Sequence, residues 1–191
     1  PGLAWGTFTG AHTGLYRDAG VGLVISLGAL LADVPHTRDT RVTGTAVDPE
    51  VAARLELTTS RYEGPTGIVG VLHDVLRRSG VPAASLWANV PHYITTSQNP
   101  NATAALLRRL SVMTGLTFDL RELTSAGERF VSEVNAALDG NPEIAEYVRR
   151  LEAAVDAGEV GAPLESSLPA GEELLSDIED FLRQTRPDDE D

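Results

Sequence analysis

The stretch that most constrains the fold is residues 85–93, Ser-Leu-Trp-Ala-Asn-Val-Pro-His-Tyr, in which a short apolar segment runs directly into a proline. The apolar segment predicts a buried strand, and Pro91 is expected to end it because proline cannot donate to a ladder of backbone hydrogen bonds. His92 and Tyr93 follow at once. The stretch therefore predicts a strand that presents polar and aromatic side chains at one edge of a sheet.

The middle of the chain alternates strand-like and helix-like patterns. Residues 21–27 form a continuous apolar run after a glycine, and residues 41–47 are rich in β-branched side chains, so both predict strands. Before the strand at 85–93, the apolar spacing over residues 68–76 predicts a helix that Gly80 ends. This alternation predicts an α/β fold, with a mainly parallel sheet flanked by helices.

Helix starts are marked by a capping residue followed by proline. Asp48 and Asn99 each place a side-chain acceptor before a proline, which is the pattern of a helix N-terminus. The helix after Asn99 is expected to run to about Thr114, with Gly115 closing it. Residues 5–18 have a looser helical spacing of apolar side chains.

Beyond Gly115 the chain changes to helical segments rich in acidic residues, which adds an acidic helical C-terminal appendage to the α/β fold. Residues 125–138 and 141–157 are predicted to be the first two of these helices. The full predicted organisation is an α/β domain over residues 1–115, a helical appendage over 116–157, a linker over 158–171, a C-terminal helix over 172–186 and an acidic tail over 187–191.

Charge and residue usage exclude several classes of function. The formal net charge is −13 and all 15 basic residues are arginine, which argues against nucleic acid and anionic membranes as partners. Without lysine there is no P-loop or Schiff-base lysine, and without cysteine there is no disulfide, thiol nucleophile or thiolate metal site. With no signal peptide and no apolar run long enough to cross a membrane, we expect a cytoplasmic protein.

Three loops are expected to meet at the carboxyl ends of the strands, where open α/β sheets bind their ligands. In the middle loop, Gly64 and Gly67 permit close backbone approach, and the following helix N-terminus favours an anion. A plain strand-to-helix turn is the alternative there, because Pro65 lacks an N–H and no lysine completes a phosphate site. The predicted ligand-binding residues are Pro35, His36, Thr37, Arg38, Tyr62, Glu63, Gly64, Thr66, Gly67, Trp87, Pro91, His92 and Tyr93.

The histidines do not have the spacing of a metal site, so no metal and no cofactor are predicted. His36 and His92 are candidate neighbours, with Glu63 orienting one of them as an acid–base pair. The Gly-x-Ser-x-Gly hydrolase elbow is absent, and no catalytic residue is assigned. Trp87 and Tyr93 either stack on a ligand or pack in the structure, and for Trp87 a core position is the preferred interpretation.

Three motifs in order carry a resemblance to a known family: Leu-Gly-Ala-Leu with Asp-Val-Pro-His-Thr-Arg within residues 27–38, Tyr-Glu-Gly-Pro-Thr-Gly at 62–67, and the stretch at 85–93. With these motifs the chain resembles the bacterial, type-two branch of the proteasome assembly chaperone family. The similarity continues through residues 100–110 and 146–152.

The resemblance implies an α/β fold similar to purine nucleoside phosphorylases, homo-oligomers (trimers in particular) and a chaperone role in assembling proteasome core particles. Family members are usually longer at the N-terminus, so the resemblance also implies that a chain starting at Pro1 is N-terminally incomplete. Assembly chaperones that dock into the core particle often end in hydrophobic-Tyr-x, whereas residues 189–191 are Asp-Glu-Asp.

The function predicted from sequence is a protein-interaction module that acts without ATP as a homo-oligomer, with itself and proteasome core subunits as partners. The alternative is a small-molecule or anion-binding protein, or a hydrolase-like enzyme, that uses the pocket at the strand ends. In that alternative Arg38 holds an anion and a histidine moves a proton. The pocket would be lined by His36, Arg38, Glu63, Thr66, Gly67 and His92.

Overall fold

The computed structural model of the 191-residue chain describes residues 5–59, 67–94, 98–138 and 140–158. Its strands form one open sheet in the order β1-β4-β2-β3. The predicted α/β class, an open sheet flanked by helices, is confirmed. The elements are α1 (Trp5–Asp18), β1 (Val24–Ala32), β2 (Val42–Ala46), α2 (Pro49–Arg54), β3 (Thr58–Thr59), α3 (Ile68–Arg78), β4 (Ala83–Pro91), α4 (Pro100–Thr114), α5 (Arg121–Leu138) and α6 (Pro142–Asp156).

The strands run parallel where their pairing is defined. β2 pairs with β3 in parallel, with Thr45 opposite Thr58. Near the ends of β1 and β4, the N–H of His92 donates to the carbonyl of Ala32 at 3.4 Å, so the carboxyl ends of these two strands coincide. β4 is the most buried strand, and Leu86 at its centre is 0% exposed, as expected for an inner strand covered on both faces.

Side-chain caps begin the helices where the sequence predicts them. The carboxylate of Asp48 accepts from the backbone of Glu50 at the start of α2, and Oδ1 of Asn99 accepts from the N–H of Ala102 at the start of α4. Gly115 ends α4 with a φ of 73°, which favours glycine over residues that carry a Cβ.

The prediction for the first strand was wrong at both ends. The sequence predicts a strand over residues 21–27, whereas β1 begins at Val24 and continues past Gly28 to Ala32. A Cβ placed on Gly28 would lie 2.5 Å from the indole ring of Trp87, so the missing side chain makes room for this ring rather than for a turn. Helix α5 also begins earlier than predicted, at Arg121, where the Asp119 carboxylate accepts from the Arg121 N–H.

We expect Gly28→Ala to lower the free energy of unfolding by about 1–3 kcal/mol, because the new methyl group displaces the Trp87 ring. The measurement is urea unfolding followed by far-UV circular dichroism. The matched control is Gly14→Ala within α1, where a Cβ meets no atom within 4 Å and helix propensity favours alanine. A Gly28→Ala protein as stable as the parent would contradict the packing argument.

The chain divides into two compact units, residues 1–28 with 42–87 and residues 29–41 with 88–191. Trp5 and Trp87 both belong to the first unit. The core of the first unit contains Ala46, Val51, Ala52 and Ala84. The core of the second unit joins α5 and α6 to the residues after β4 and contains Tyr93, Ile94, Phe130, Val134, Leu138, Ile144, Val148 and Leu151.

The predicted domain boundaries remain predictions. Helices α5 and α6 occupy the region assigned to the helical appendage. The linker beyond Gly158, the C-terminal helix at 172–186 and the acidic tail at 187–191 lie outside the described residues. Within the described ranges, no helix combines the length and the apolar character needed to cross a membrane.

Candidate functional site

The second unit gathers the loop after β1 and the end of β4 around the side chain of Tyr93, which is 4% exposed. The phenol oxygen accepts the backbone N–H of His36 at 2.9 Å and lies 2.9 Å from Nδ1 of the same residue. Nε2 of His36 lies 3.0 Å from Oδ1 of Asn135, on α5. This geometry assigns the imidazole proton to Nε2, so that Tyr93 donates to Nδ1 and Asn135 accepts from Nε2.

Burial lowers the pKa of His36 from its ordinary value, against the opposing effects of the Asn135 hydrogen bond and the Glu152 charge. Burial likewise raises the pKa of the Tyr93 phenol far above its usual range. Both rings are therefore neutral at pH 7. The pair is arranged to fix the position of the loop rather than to exchange protons near neutral pH.

A second part of the same cluster surrounds His92. The hydroxyl of Tyr147, on α6, donates to Oδ1 of Asp33 at 2.9 Å. Nδ1 of His92 lies 3.2 Å from the same oxygen but lacks hydrogen-bond geometry. The rings of His92, Tyr93 and Tyr147 meet edge to face with centroids 5.7–6.0 Å apart. Tyr93 thus contacts both histidines that the sequence offered as neighbours, since the His36 ring also meets it at 5.9 Å.

The next two residues of the loop bind α6. The Thr37 hydroxyl donates to Oε1 of Glu152. The guanidinium of Arg38 donates twice to the Asp156 carboxylate, at 2.9 Å for each bond, and once to Glu152 at 3.1 Å. This contact holds the pKa of the Asp156 carboxyl below its usual range. The charge that was predicted to hold an anion is thus matched by two carboxylates of the protein itself.

A cavity of about 150 Å³ lies beside these contacts within the second unit. It is bounded by the loop after β1, the end of β4, the N-terminus of α4, and parts of α5 and α6. Of the predicted ligand-binding residues, Pro35, His36, Arg38 and Pro91 line it. The volume is below the roughly 300–1,000 Å³ of sites for drug-sized ligands. As bounded by the described residues, the cavity is suited to a molecule of few atoms.

Two of the predicted site residues belong to the other unit of the chain. Trp87 and Gly67 belong to the first unit, where Trp87 covers Gly28 and Gly67 precedes the first turn of α3. The anion site predicted for the middle loop stays a prediction, since Tyr62, Glu63, Gly64 and Thr66 lie outside the described residues. Across the described ranges, no three histidine or acidic side chains are grouped so that they would hold a metal ion.

Sequence reasoning missed the partners that α5 and α6 supply. Asn135 carried no motif, and Tyr147 and Glu152 were noted only as part of the family resemblance. One signal was available: Glu152 and Asp156 are four residues apart, so they share one face of a helix and can bind one arginine. Nothing in the sequence indicated which arginine that would be.

The first unit holds a separate buried polar group on β1, β4 and α3. Oγ of Ser26 lies 2.8 Å from Oγ of Ser85 and 3.1 Å from Nε2 of His73. His73 is 5% exposed, and burial lowers its pKa. Among the described residues, no carboxylate bonds to His73 as the third member of a catalytic triad would. The group is therefore a polar link between two strands and a helix.

Comparison with known proteins finds a matching family and similar solved structures. The PAC2 family profile matches residues 1–138. A PAC2 family protein from Streptomyces avermitilis is 43% identical, with a TM-score of 0.70, and the match covers 78% of this chain and 62% of that one. A Mycobacterium tuberculosis proteasome-assembly chaperone homologue is 40% identical, with a TM-score of 0.67 and coverage of 78% and 63%. A protein of unknown function from Corynebacterium glutamicum is 30% identical, with a TM-score of 0.71 and coverage of 82% and 58%.

These matches confirm the family resemblance predicted from the sequence. The chain spans less than two thirds of the length of these solved relatives, at 62%, 63% and 58%. No curated protein matches the chain with significance.

Proposed function

Because the chain belongs to the PAC2 family, we propose that it is a protein-interaction module that assists the assembly of proteasome core particles. The observation that carries this proposal is the 40% identity, over 78% of the chain, to a proteasome-assembly chaperone homologue. In this proposal the protein acts in the cytoplasm as a homotrimer, without ATP, and its partners are unassembled core subunits.

The bonding within the second unit supports an interaction module over an enzyme. A catalytic group must reach the reacting atoms, so its donors and acceptors are held available for substrate. Here His36 is bonded on both ring nitrogens, and Arg38 is bonded to two carboxylates. These contacts instead fix the loop after β1 against α5 and α6. A loop fixed in this way offers a partner a preorganised surface, which lowers the entropy cost of association.

The net charge of −13 supports a partner with a basic surface. Charge of one sign accelerates encounter with an oppositely charged partner and suppresses encounters with acidic proteins. Screening by salt should slow this encounter, since the Debye length falls from about 10 Å at 0.1 M to about 3 Å at 1 M salt. A genuine complex is expected to form more slowly at high salt but to persist once its apolar contacts are made.

The test is light scattering of the purified chain, alone and mixed with unassembled proteasome α subunits. We expect three times the mass of one chain for the protein alone, and a stoichiometric complex after mixing, without added ATP. An unrelated acidic protein of similar net charge, mixed with the same subunits, controls for non-specific attraction. A single-chain mass would contradict the trimer, and subunits that remain free at all ratios would contradict the chaperone function.

The second candidate is a small-molecule or anion-binding protein, or a hydrolase-like enzyme, and the observation that favours it is the cavity beside His36 and Arg38. Thermal-shift measurements with nucleosides and phosphate test it. A shift that Arg38→Ala and His92→Ala abolish would favour this candidate. The enzyme is the weaker of the two candidates, because Arg38 already binds Glu152 and Asp156.

A further inference from the structure

One buried side chain that lines the cavity of the second unit has an unsatisfied hydrogen-bonding group. Asn89, on β4, is 8% exposed, and its Oδ1 is enclosed without a hydrogen-bond partner. Its backbone is held in the sheet, where its N–H donates to the carbonyl of Arg41 at 2.9 Å. An unpaired buried polar group of this kind destabilises the folded state, because its hydrogen bond to water is lost and not replaced. A bound molecule with a donor would remove this cost.

Positive charge is available at the same cavity from Arg41. This arginine is exposed and makes no ion pair with a described residue, in contrast to Arg38, which is fully occupied by α6. The N-terminus of α4 also borders the cavity through Asn99 and Asn101. Pro100 has no N–H, and the N–H of Ala102 bonds to Asn99. In the first turn of α4, the N–H of Asn101 and the partial positive charge of the helix end are therefore what favour an anion.

The walls and size limit the rest of the ligand. Pro35, Pro91 and Phe130 give the cavity an apolar side, and its volume is about 150 Å³. Asp39 lies on the lining as well, so a ligand with a single negative charge is favoured over one with several. These limits select a short carbon skeleton with one anionic group and one hydrogen-bond donor.

We propose that this cavity binds a small 2-hydroxycarboxylate, a binding function beyond the proposed assembly role. The carboxylate lies between Arg41 and the N-terminus of α4, and the hydroxyl donates to the side-chain oxygen of Asn89. The apolar side of the cavity receives the carbon skeleton.

The experiment is calorimetric titration of the full chain with three two-carbon probes. Glycolate carries both the carboxylate and the hydroxyl, acetate lacks the hydroxyl, and ethylene glycol lacks the carboxylate. We expect glycolate to bind with a Kd of about 1 mM, acetate about five- to tenfold more weakly, and ethylene glycol not at all, since one hydrogen bond is worth about that factor. The comparison with acetate measures the contribution of the hydroxyl, and the comparison with ethylene glycol measures that of the carboxylate.

Two variants assign these groups to residues. Arg41→Gln is expected to raise the Kd of both glycolate and acetate about tenfold or more, because the charge-assisted hydrogen bond to the carboxylate is lost. Asn89→Leu removes the unpaired amide and should bring glycolate to the affinity of acetate. Arg54→Gln, an exposed arginine of α2 in the first unit, is the matched control and should leave all three titrations unchanged.

Three results would overturn the proposal: equal affinity for glycolate and acetate, glycolate binding that Arg41→Gln leaves unchanged, or no heat from glycolate at about 10 mM, tenfold above the expected Kd. If Asn89→Leu does not fold, the comparison of glycolate with acetate in the parent still tests the hydroxyl contact. Light scattering with the proteasome subunits is read separately, so failure of the ligand site and failure of the chaperone function are distinguishable.

Discussion

Replacing Tyr93 with alanine is expected to lower the free energy of unfolding by about 3–5 kcal/mol, the cost of truncating a buried aromatic side chain. Tyr93 is 4% exposed and packs with Phe130 and Val134 in the core of the second unit. The change removes the ring from this core and also removes the hydroxyl that holds His36. Urea unfolding followed by far-UV circular dichroism measures the effect.

Tyr93→Phe is the matched control, because it keeps the ring and deletes only the hydroxyl. It leaves the backbone N–H and Nδ1 of His36 without their shared partner, so we expect a loss of about 1–3 kcal/mol. The difference between the two variants measures ring packing. A phenylalanine variant as stable as the parent would mean that the hydroxyl does not hold the loop after β1.

Acidification from pH 7 to pH 5 is the second change with a large expected effect. Burial lowers the pKa of His36 and His73 in the folded chain, whereas in the unfolded chain both return to about 6.5. Below pH 6.5 the unfolded chain therefore binds more protons, and the folded state loses stability as the pH falls. Each histidine contributes up to about 1.4 kcal/mol per pH unit until its folded-state pKa is reached.

The measurement is the free energy of urea unfolding at several pH values between 5 and 7. His36→Gln and His73→Gln should each remove part of the slope, because each change removes one buried imidazole. The paired carboxyls Asp74 and Asp156 have lowered pKa values, so they titrate below this window. An unfolding free energy independent of pH across the window would contradict the burial of both imidazoles in neutral form.

Much of the fold could be predicted because its signals are local. Asn99 and Gly115 bound α4 through a cap and a left-handed residue that each act within one helical turn. Gly28 misled the prediction for the opposite reason. Its place inside β1 depends on the ring of Trp87, which belongs to another strand and is far away in sequence. A glycine that makes room for a distant side chain cannot be told from a turn glycine by its neighbours in the chain.

The candidate site could be predicted only in part, because some of its contacts join residues that are far apart in the sequence. Parallel strands end at the same edge of a sheet, which predicted that His36 and His92 lie close together. In the structure both rings contact Tyr93. What His36 and Arg38 bind could not be derived, because their partners Asn135 and Asp156 lie in helices 99 and 118 residues further along the chain. A polar residue on the face of a helix has the same sequence signature whether it meets solvent or a distant loop.

The placement of both tryptophans in the first unit decides what intrinsic fluorescence can report. Emission from Trp5 and Trp87 responds to the surroundings of that unit, and the indole against Gly28 should shift to longer wavelength once water reaches it. Both units contribute to the helical circular dichroism signal, but the three longest helices, α4, α5 and α6, belong to the second unit, which contains no tryptophan. Coincident emission and circular dichroism midpoints would mean that the units melt as one cooperative block. Separated midpoints would mean that the two units unfold independently, and one titration of the unlabelled protein would then measure the stability of each.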